Sequence, residues 1–238
     1  MLVSIITPFF NEERTLAELL ARAAAAALPA GMRREFVLVD DGSTDGSAAL
    51  AAAFVAEQPD SATLARLPHN RGKGAAMRRG LALAKGDIIV VQDADLEWDP
   101  ADYLRLLTPY GDPAVTAVFG SRLLGENARC IYYHYYLGGR LLSACTNLLF
   151  GGRLTDEPTG MKSFRRSALA GIPLLADGFD FDAELTARLL QAGHDILEIP
   201  ARYEPRTFEE GKKTRARDGL RTLATLLRVR REGKRRRP

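Results

Sequence analysis

The order of the residues predicts an α/β chain built on a mostly parallel sheet flanked by helices. Three observations lead there. Short, β-branched and nearly continuous apolar runs alternate with helical patterns. The lengths between them suit repeated β–α units. Polar clusters follow five consecutive strand ends, and a parallel sheet gathers such ends on one rim, where its ligands bind.

The strands are expected at Leu2–Thr7, Phe36–Val39, Ala62–Leu67, Ile88–Val91 and Val115–Phe119. Between the first four lie Glu12–Leu28, Ser47–Glu57 and Lys73–Lys85, rich in good helix formers. Tyr132–Phe150 mixes aromatics, leucines and glycines around Arg140, which is expected to be buried; it predicts a helix lying along a surface. Asp180–Gln191 predicts a helix with acids at its positive end. Ile196–Tyr203 predicts a last strand. Arg215–Arg231 predicts an amphipathic helix. Ala216, Leu220, Leu223, Ala224 and Leu227 share one face, flanked by Arg217, Arg221 and Arg228, and Lys234–Arg237 form a frayed end.

The chain has 238 residues, a length that suits one large domain. Its 46% hydrophobic and 26% charged residues supply a core and exclude intrinsic disorder. Cys130 and Cys145 make no disulfide framework and match no zinc spacing, so a reducing compartment is expected. No apolar run reaches the ~18 residues of a membrane span. The start, Met1-Leu2-Val3-Ser4-Ile5-Ile6, reads as a strand and not as a signal peptide. Residues 211–238 hold twelve Lys/Arg against Asp218 and Glu232, while the rest of the chain is net acidic. Such a tail suits nucleic acid, an anionic membrane surface or simply solvent. With no nucleic-acid motif beside it, an anionic membrane is the expected partner, and a helix packed on the domain with a solvated basic rim is the alternative.

The strand ends carry the chemistry. Asp93-Ala94-Asp95 follows an apolar run, and two carboxylates so placed can share a hard divalent cation, with Glu97 adding a third oxygen. The same residues also make a solvated acidic turn. Asp40-Asp41-Gly42-Ser43 is a second acidic strand end, suited to base N–H or ribose hydroxyl groups, with Asp45 placed to cap the next helix. Asn70-Arg71-Gly72-Lys73-Gly74 opens a helix, where backbone N–H groups favour anions. An acidic pair at a strand end also occurs in phospho-receiver modules, but those are far shorter and need no second acidic pair. His69, His134 and His194 are scattered without metal-ligand spacing. Trp98 is expected to pack behind the Asp93–Glu97 loop.

The ordered set Pro8-x-x-Asn11-Glu12, Asp40-Asp41-Gly42-Ser43-Thr44-Asp45-Gly46, Asn70-x-Gly72-Lys73-Gly74-Ala75, Asp93-Ala94-Asp95-Leu96-Glu97 and Gly120-Ser121-Arg122 resembles the family 2 glycosyltransferases of GT-A fold. Within that family the set looks like the dolichyl- and polyprenyl-phosphate mannosyl- and glucosyltransferases. The resemblance continues through Asp156-x-x-Thr159-Gly160-x-Lys162, Phe179-x-Phe181-Asp182-x-Glu184 and Arg206-x4-Gly211-Lys212, covering roughly residues 2–215.

The resemblance implies a GT-A domain over residues 1–213, followed by a basic amphipathic helix and tail over 214–238. Within the domain, 1–97 form a nucleotide-sugar half and 98–213 an acceptor half. Pro8, Asn11, Glu12, Asp40, Asp41 and Lys73 would serve the nucleotide sugar, of GDP-mannose or UDP-glucose type. Asp93, Asp95 and Glu97 would bind Mg²⁺ or Mn²⁺. Arg122, Arg140, Ser143, Arg206 and Lys212 would gather the phosphates of acceptor and donor. Ser143 enters because Ala144 stands where the family tends to have serine.

The implied activity is metal-dependent, inverting transfer of a hexose to a polyprenyl phosphate at the cytoplasmic membrane face. Asp93, Asp95, Arg122, Asp156 and Arg206 would carry the catalysis. A hydroxyl acceptor would instead need a base, with Asp156 and Asp182 as candidates. A nucleotide-binding module without turnover is the third reading.

Overall fold

The computed structural model describes residues 1–125, 133–207, 209 and 216–236. Seven strands form one sheet in the order β3-β2-β1-β4-β6-β5-β7. They are β1 (Leu2–Phe9), β2 (Arg33–Asp40), β3 (Ala62–Arg66), β4 (Ile88–Val91), β5 (Ala117–Ser121), β6 (Lys162–Arg165) and β7 (Ile196–Pro200). All pairings are parallel except those of β6, which runs antiparallel to both β4 and β5. Six carboxyl ends therefore share one rim. The amino end of β6 reaches the same rim because that strand is reversed.

The helices are α1 (Leu16–Ala25), α2 (Ser47–Glu57), α3 (Lys73–Leu83), α4 (Tyr103–Leu107), α5 (Tyr133–Phe150), α6 (Phe181–Gln191) and α7 (Ala216–Arg236). Successive strand residues point to opposite faces, so the continuous apolar runs feed two cores. Ile5, Phe36, Leu38, Ile88 and Val90 pack with Leu16, Leu19, Leu20 and Tyr103. Ile6, Val37, Val39, Ile89 and Phe119 pack on the other face with Met77, Phe181, Leu185 and Leu189. A third cluster joins α7 to α6 and α5 through Leu226, Val229, Ala183, Ala187, Leu149 and Phe150.

Several expectations change. The predicted first helix begins four residues late, at Leu16, because Asn11 (φ 51°) turns the chain and the Glu12 carbonyl accepts from Thr15 and Leu16 N–H. The last strand ends at Pro200, with Tyr203 making an isolated bridge to Trp98. The C-terminal helix continues to Arg236 where fraying was expected. Arg140 is exposed on α5, not buried.

The stripe of α7 that packs on the domain is Thr222, Thr225, Leu226 and Val229. Leu220 and Leu227 lie on the opposite side of the helix, 74% and 41% exposed. The sequence shows apolar residues on both sides; on the packed side Leu226 and Val229 fill the third cluster and Thr225 donates to Asp180 Oδ2. No helix among the described residues is long and apolar enough to cross a membrane.

Candidate functional site

The site assembles on the strand-end rim from loops that brace one another. After β1, Asn11 donates its N–H to Ser43 Oγ (3.0 Å), and its side-chain oxygen accepts from Thr44 N–H (2.8 Å). Pro8 is buried within β1, paired with Val39. After β2, the Asp40 carboxylate is used by the turn itself. Its Oδ1 accepts from Ser43 N–H (2.7 Å) and its Oδ2 pairs with Arg66 Nε (3.1 Å). Asp41 accepts from Arg71 and Gly72 N–H, at 2.8 and 2.7 Å. Burial pushes its carboxyl up, against those two bonds.

The glycines before α3 serve a close approach of chain to chain. Gly72 has φ +101°, and a Cβ there would lie 2.3 Å from Asp177 O. Gly74 N–H already donates to Asp177 O (2.8 Å). That amide is therefore spent inside the protein, and the element's gift to the site is Lys73. Lys73 Nζ sits 2.7 Å from Asp93 Oδ1 and 2.8 Å from Asp182 Oδ2. Burial works against its charge, but the two carboxylates outweigh burial and raise its pKa above the ordinary lysine range.

Gln92, buried at the end of β4, locks the acidic loop. It accepts from Tyr103 Oη (2.8 Å) and donates to the Asp93 and Trp98 carbonyls. Leu96 holds a left-handed backbone (φ 61°) that turns the loop between Asp95 and Glu97. Trp98 packs behind the loop against Tyr203, as expected. Gly160 leaves room for the carboxylate: a Cβ there would lie 2.5 Å from Asp93 Oδ2 and 2.7 Å from Trp98 Nε1.

Arg206 closes the acidic cluster from above. Its Nη2 meets Asp95 Oδ2 (2.8 Å), its Nη1 Glu12 Oε2 (3.3 Å) and its Nε Glu97 Oε1 (3.7 Å). Glu97 also accepts from Tyr203 Oη (3.1 Å). Asp93 is pushed up to about 6, first by burial and then by repulsion from Asp95 and Asp182, with Lys73 opposing. Burial, followed by Glu97, also raises Asp95.

These hard oxygens carry more negative charge than their surroundings relieve, and the donor set fits one divalent cation that keeps positions for phosphates. Asp93 and Asp95 would hold it. Glu97 stands beside them with its Oε1 toward Arg206 and its Oε2 on Tyr203 Oη, and among the described residues no group of three acidic, His or Cys side chains is gathered for an ion. A metal must compete with the proton on Asp93. Stabilisation of the chain by Mn²⁺ is therefore expected to grow as the pH rises through about 6. Melting curves with and without the ion at pH 5 and 7.5 check this; an equal shift at both values would contradict it.

Beside the acidic loop, Arg122 follows β5 and forms a bidentate pair with Asp156, Nε–Oδ2 2.8 Å and Nη2–Oδ1 2.6 Å. Its guanidinium lies over Trp98 and Tyr203. Ser143 is buried and structural, donating to Gly139 O and accepting from Glu157 N–H. Exposed Arg140 is not gathered into this cluster. Lys212, Cys130 and the side chain of His134 lie outside the described residues. Asp45 does help start α2, accepting from Ser47 N–H (3.0 Å).

Lys162 and Asp182, both within the sequence motifs, meet partners here that the motifs do not name, and Glu198, which stands in no motif, joins them. Lys162, fully buried, donates to the Asp182 carbonyl (3.0 Å) and Thr186 Oγ1 (2.8 Å), bracing the start of α6. Glu198 on β7 accepts from Thr155 and Asp156 N–H. Asp182 Oδ1 is buried and accepts no hydrogen bond. Nothing local in the sequence marks these partners, which lie 20 to 43 residues from the groups they hold. The cavity between Arg78, Asp87, Arg165 and Arg166, about 1010 Å³, contains none of these strand-end residues.

Residues 4–172 match the model of glycosyl transferase family 2. An undecaprenyl-phosphate 4-deoxy-4-formamido-L-arabinose transferase of Pseudomonas aeruginosa is 35% identical over 191 residues, 75% of this chain and 54% of that protein. A dodecaprenyl-phosphate galacturonate synthase of Rhizobium johnstonii is 29% identical over 179 residues, covering 74% and 51%. The chain thus spans about half the length of the curated relatives it matches. Among solved structures, glucosyl-3-phosphoglycerate synthase of Mycobacterium tuberculosis with Mn²⁺, UDP and glucosyl-3-phosphoglycerate superposes with a TM-score of 0.69. The identity is 22%, covering 95% of this chain and 79% of that one. Mannosyl-3-phosphoglycerate synthase of Rubrobacter xylanophilus gives 0.70 at 21% identity, covering 99% and 76%. These likenesses bear on the fold.

Proposed function

This chain belongs to glycosyl transferase family 2, and from that premise we propose that it moves a sugar from a nucleoside diphosphate to a polyprenyl phosphate, inverting the anomeric carbon. The observation that carries the reading is the paired acidic and basic cluster on the rim. Asp93 and Asp95 lie there with Lys73 and Arg206, and the Arg122–Asp156 pair stands beside them. The acceptors in the names of the two relatives support the acceptor class, and the complex of the solved neighbour supports a nucleoside diphosphate with a divalent ion. We take the sugar to be a hexose, mannose or glucose, on GDP or UDP; the sugars in the relatives' names are others.

In this reading an acceptor phosphate oxygen attacks C1, and the bond from C1 to the diphosphate oxygen breaks. A divalent cation on Asp93 and Asp95 would neutralise charge developing on the leaving diphosphate. Lys73 and Arg206 set cationic groups beside it, and Arg122 orients the acceptor phosphate. A phosphate nucleophile is already ionised and needs no strong base.

A hydroxyl acceptor is the second reading, favoured by the buried Oδ1 of Asp182, which accepts no hydrogen bond. Asp156 is the poorer base because Arg122 grips both its oxygens. The test is transfer from UDP- and GDP-hexoses to a short polyprenyl phosphate or to the matching alcohol. Product on the phosphate supports the proposal. Product only on the alcohol, with loss in Asp182→Asn, replaces it with the second reading, and no product from any donor overturns both.

The lipid acceptor calls for a membrane, and we propose peripheral attachment to an anionic cytoplasmic leaflet. The face involved is not the one that packs on the domain. Leu220 and Leu227 are exposed on α7, and Tyr133, Leu137, Leu141 and Leu148 on α5. Arg217, Arg221 and Arg231 are exposed on α7 as well. Burying one leucine is worth about 1.5–3 kcal/mol. Leu220→Ser is therefore expected to weaken binding to anionic vesicles by about tenfold or more; sedimentation with unchanged partition would remove the attachment.

A further inference from the structure

Glu184 has no exposure to solvent, and a buried carboxylate persists only where donors satisfy it. Its Oε2 accepts two backbone N–H groups, from Leu175 (2.7 Å) and Ala176 (2.6 Å). Its Oε1 meets Arg228 Nη2 of α7 (3.1 Å) and Arg188 Nη2 (3.4 Å). Arg188 is held in turn by Glu232 of α7 (2.5 Å), and Thr225 of α7 donates to Asp180 Oδ2 (2.7 Å). Polar ties from one side of α7 thus reach the start of α6 and the segment before it.

That segment is what the nucleotide end of the site rests on. The Asp177 carbonyl accepts from Gly74 and Ala75 N–H, at 2.8 and 3.3 Å. The Ala176 carbonyl and the Asp177 carboxylate accept from Arg78. Gly72 is pressed against Asp177 O, and the N–H groups of Arg71 and Gly72 anchor Asp41. Lys73 stands between these contacts with its amine on Asp93 and Asp182. A shift of residues 175–177 therefore moves Lys73 and the anchor of Asp41 together.

We infer that α7 sets the geometry of the donor pocket through Arg228 and Glu184, which act as positioning residues and touch no substrate. The inference rests on the donor reading above. An Arg–Glu pair with one buried partner is weak evidence of stability, since apolar residues of the same volume often hold a fold as well. What an apolar residue at 184 would not do is hold the amides of Leu175 and Ala176.

The experiment compares the full chain with Arg228→Met and Arg228→Lys. Calorimetry measures binding of UDP and GDP with Mn²⁺; hydrogen exchange follows amides of residues 72–78 and 174–178. The methionine variant is expected to bind nucleotide about five- to tenfold more weakly. It should exchange faster in both segments while β1 and α1 stay unchanged. Lysine, which keeps the charge, should restore most of both. Faster exchange with unchanged nucleotide affinity overturns the inference and leaves α7 a purely structural strut. Unchanged exchange overturns it as well. If the parent chain binds neither nucleotide, the donor reading fails, and the exchange comparison alone still decides whether α7 holds the start of α3.

Discussion

Asp93→Asn is expected to lower sugar transfer by about 10³-fold or more while shifting the melting temperature by only a few degrees. The amide keeps the shape that fills the space beside Gly160 and Trp98. Lys73 loses one carboxylate but retains Asp182 at 2.8 Å. The ionised Asp93 is itself a strained group, pushed up to about 6 by burial and its acidic neighbours. A carboxyl raised in the folded state lends stability under acid conditions, and that stability is lost as the pH rises through about 6. The variant has no such group, so its melting temperature should fall less than the parent's between pH 5 and 7. Transfer assays beside melting curves decide. Full activity in the variant would contradict a role for this carboxylate, and a collapsed fold would contradict the account of its burial.

Arg122→Met should hurt in a different way, through stability and activity together. Asp156 is almost wholly buried, and its two oxygens face the Arg122 guanidinium. Removing one partner of a buried pair leaves an uncompensated charge and costs about 3–5 kcal/mol. The lower end applies, because Arg122 keeps a quarter of its side chain exposed. About 3 kcal/mol lowers the melting temperature of a chain this size by about 6–12 °C. Arg122→Met combined with Asp156→Asn should be more stable than Arg122→Met alone, since the orphaned charge is gone. Transfer should be lost in both, and Arg122→Lys should not restore it, because an ammonium reproduces neither the bidentate pair nor the stacking on Trp98 and Tyr203. Melting curves of the three variants, read with transfer assays, check the pattern.

Much of this architecture is legible in the chain because parallel strands announce themselves. Ile88–Val91 and Ser47–Glu57 are found where the apolar run and the alanine-rich stretch predict them. β6 is not legible. Its four residues, Lys-Ser-Phe-Arg, lack an apolar run, and Lys162 is buried only because Glu157, Asp182 and Thr186 receive its amine. Arg140 misleads in the other direction: leucines and aromatics around it suggest burial, yet they face solvent too.

The candidate site is legible as a set of residue types at strand ends, but its pairing is not. Arg206 meets Glu12 across 194 residues, and Lys73 meets Asp182 across 109. No local pattern carries such partners. Asp40 and Asp41 look equivalent in sequence; the turn consumes the first through Ser43 and Arg66, while the second holds the loop before α3.

Setting β6 between β4 and β5 has a consequence for the chain while it is being made. A ribosome that has delivered residue 121 has released the strands on either side of the gap but not the one that fills it. The Ile88–Val91 backbone then presents open donors and acceptors along an oily edge. β5 is itself apolar and free to take the wrong seat there, and so is a strand from a neighbouring copy. Yield in cells should thus respond to how promptly residues 162–165 emerge and to chaperone supply during that interval, even in variants whose finished form is as robust as the parent.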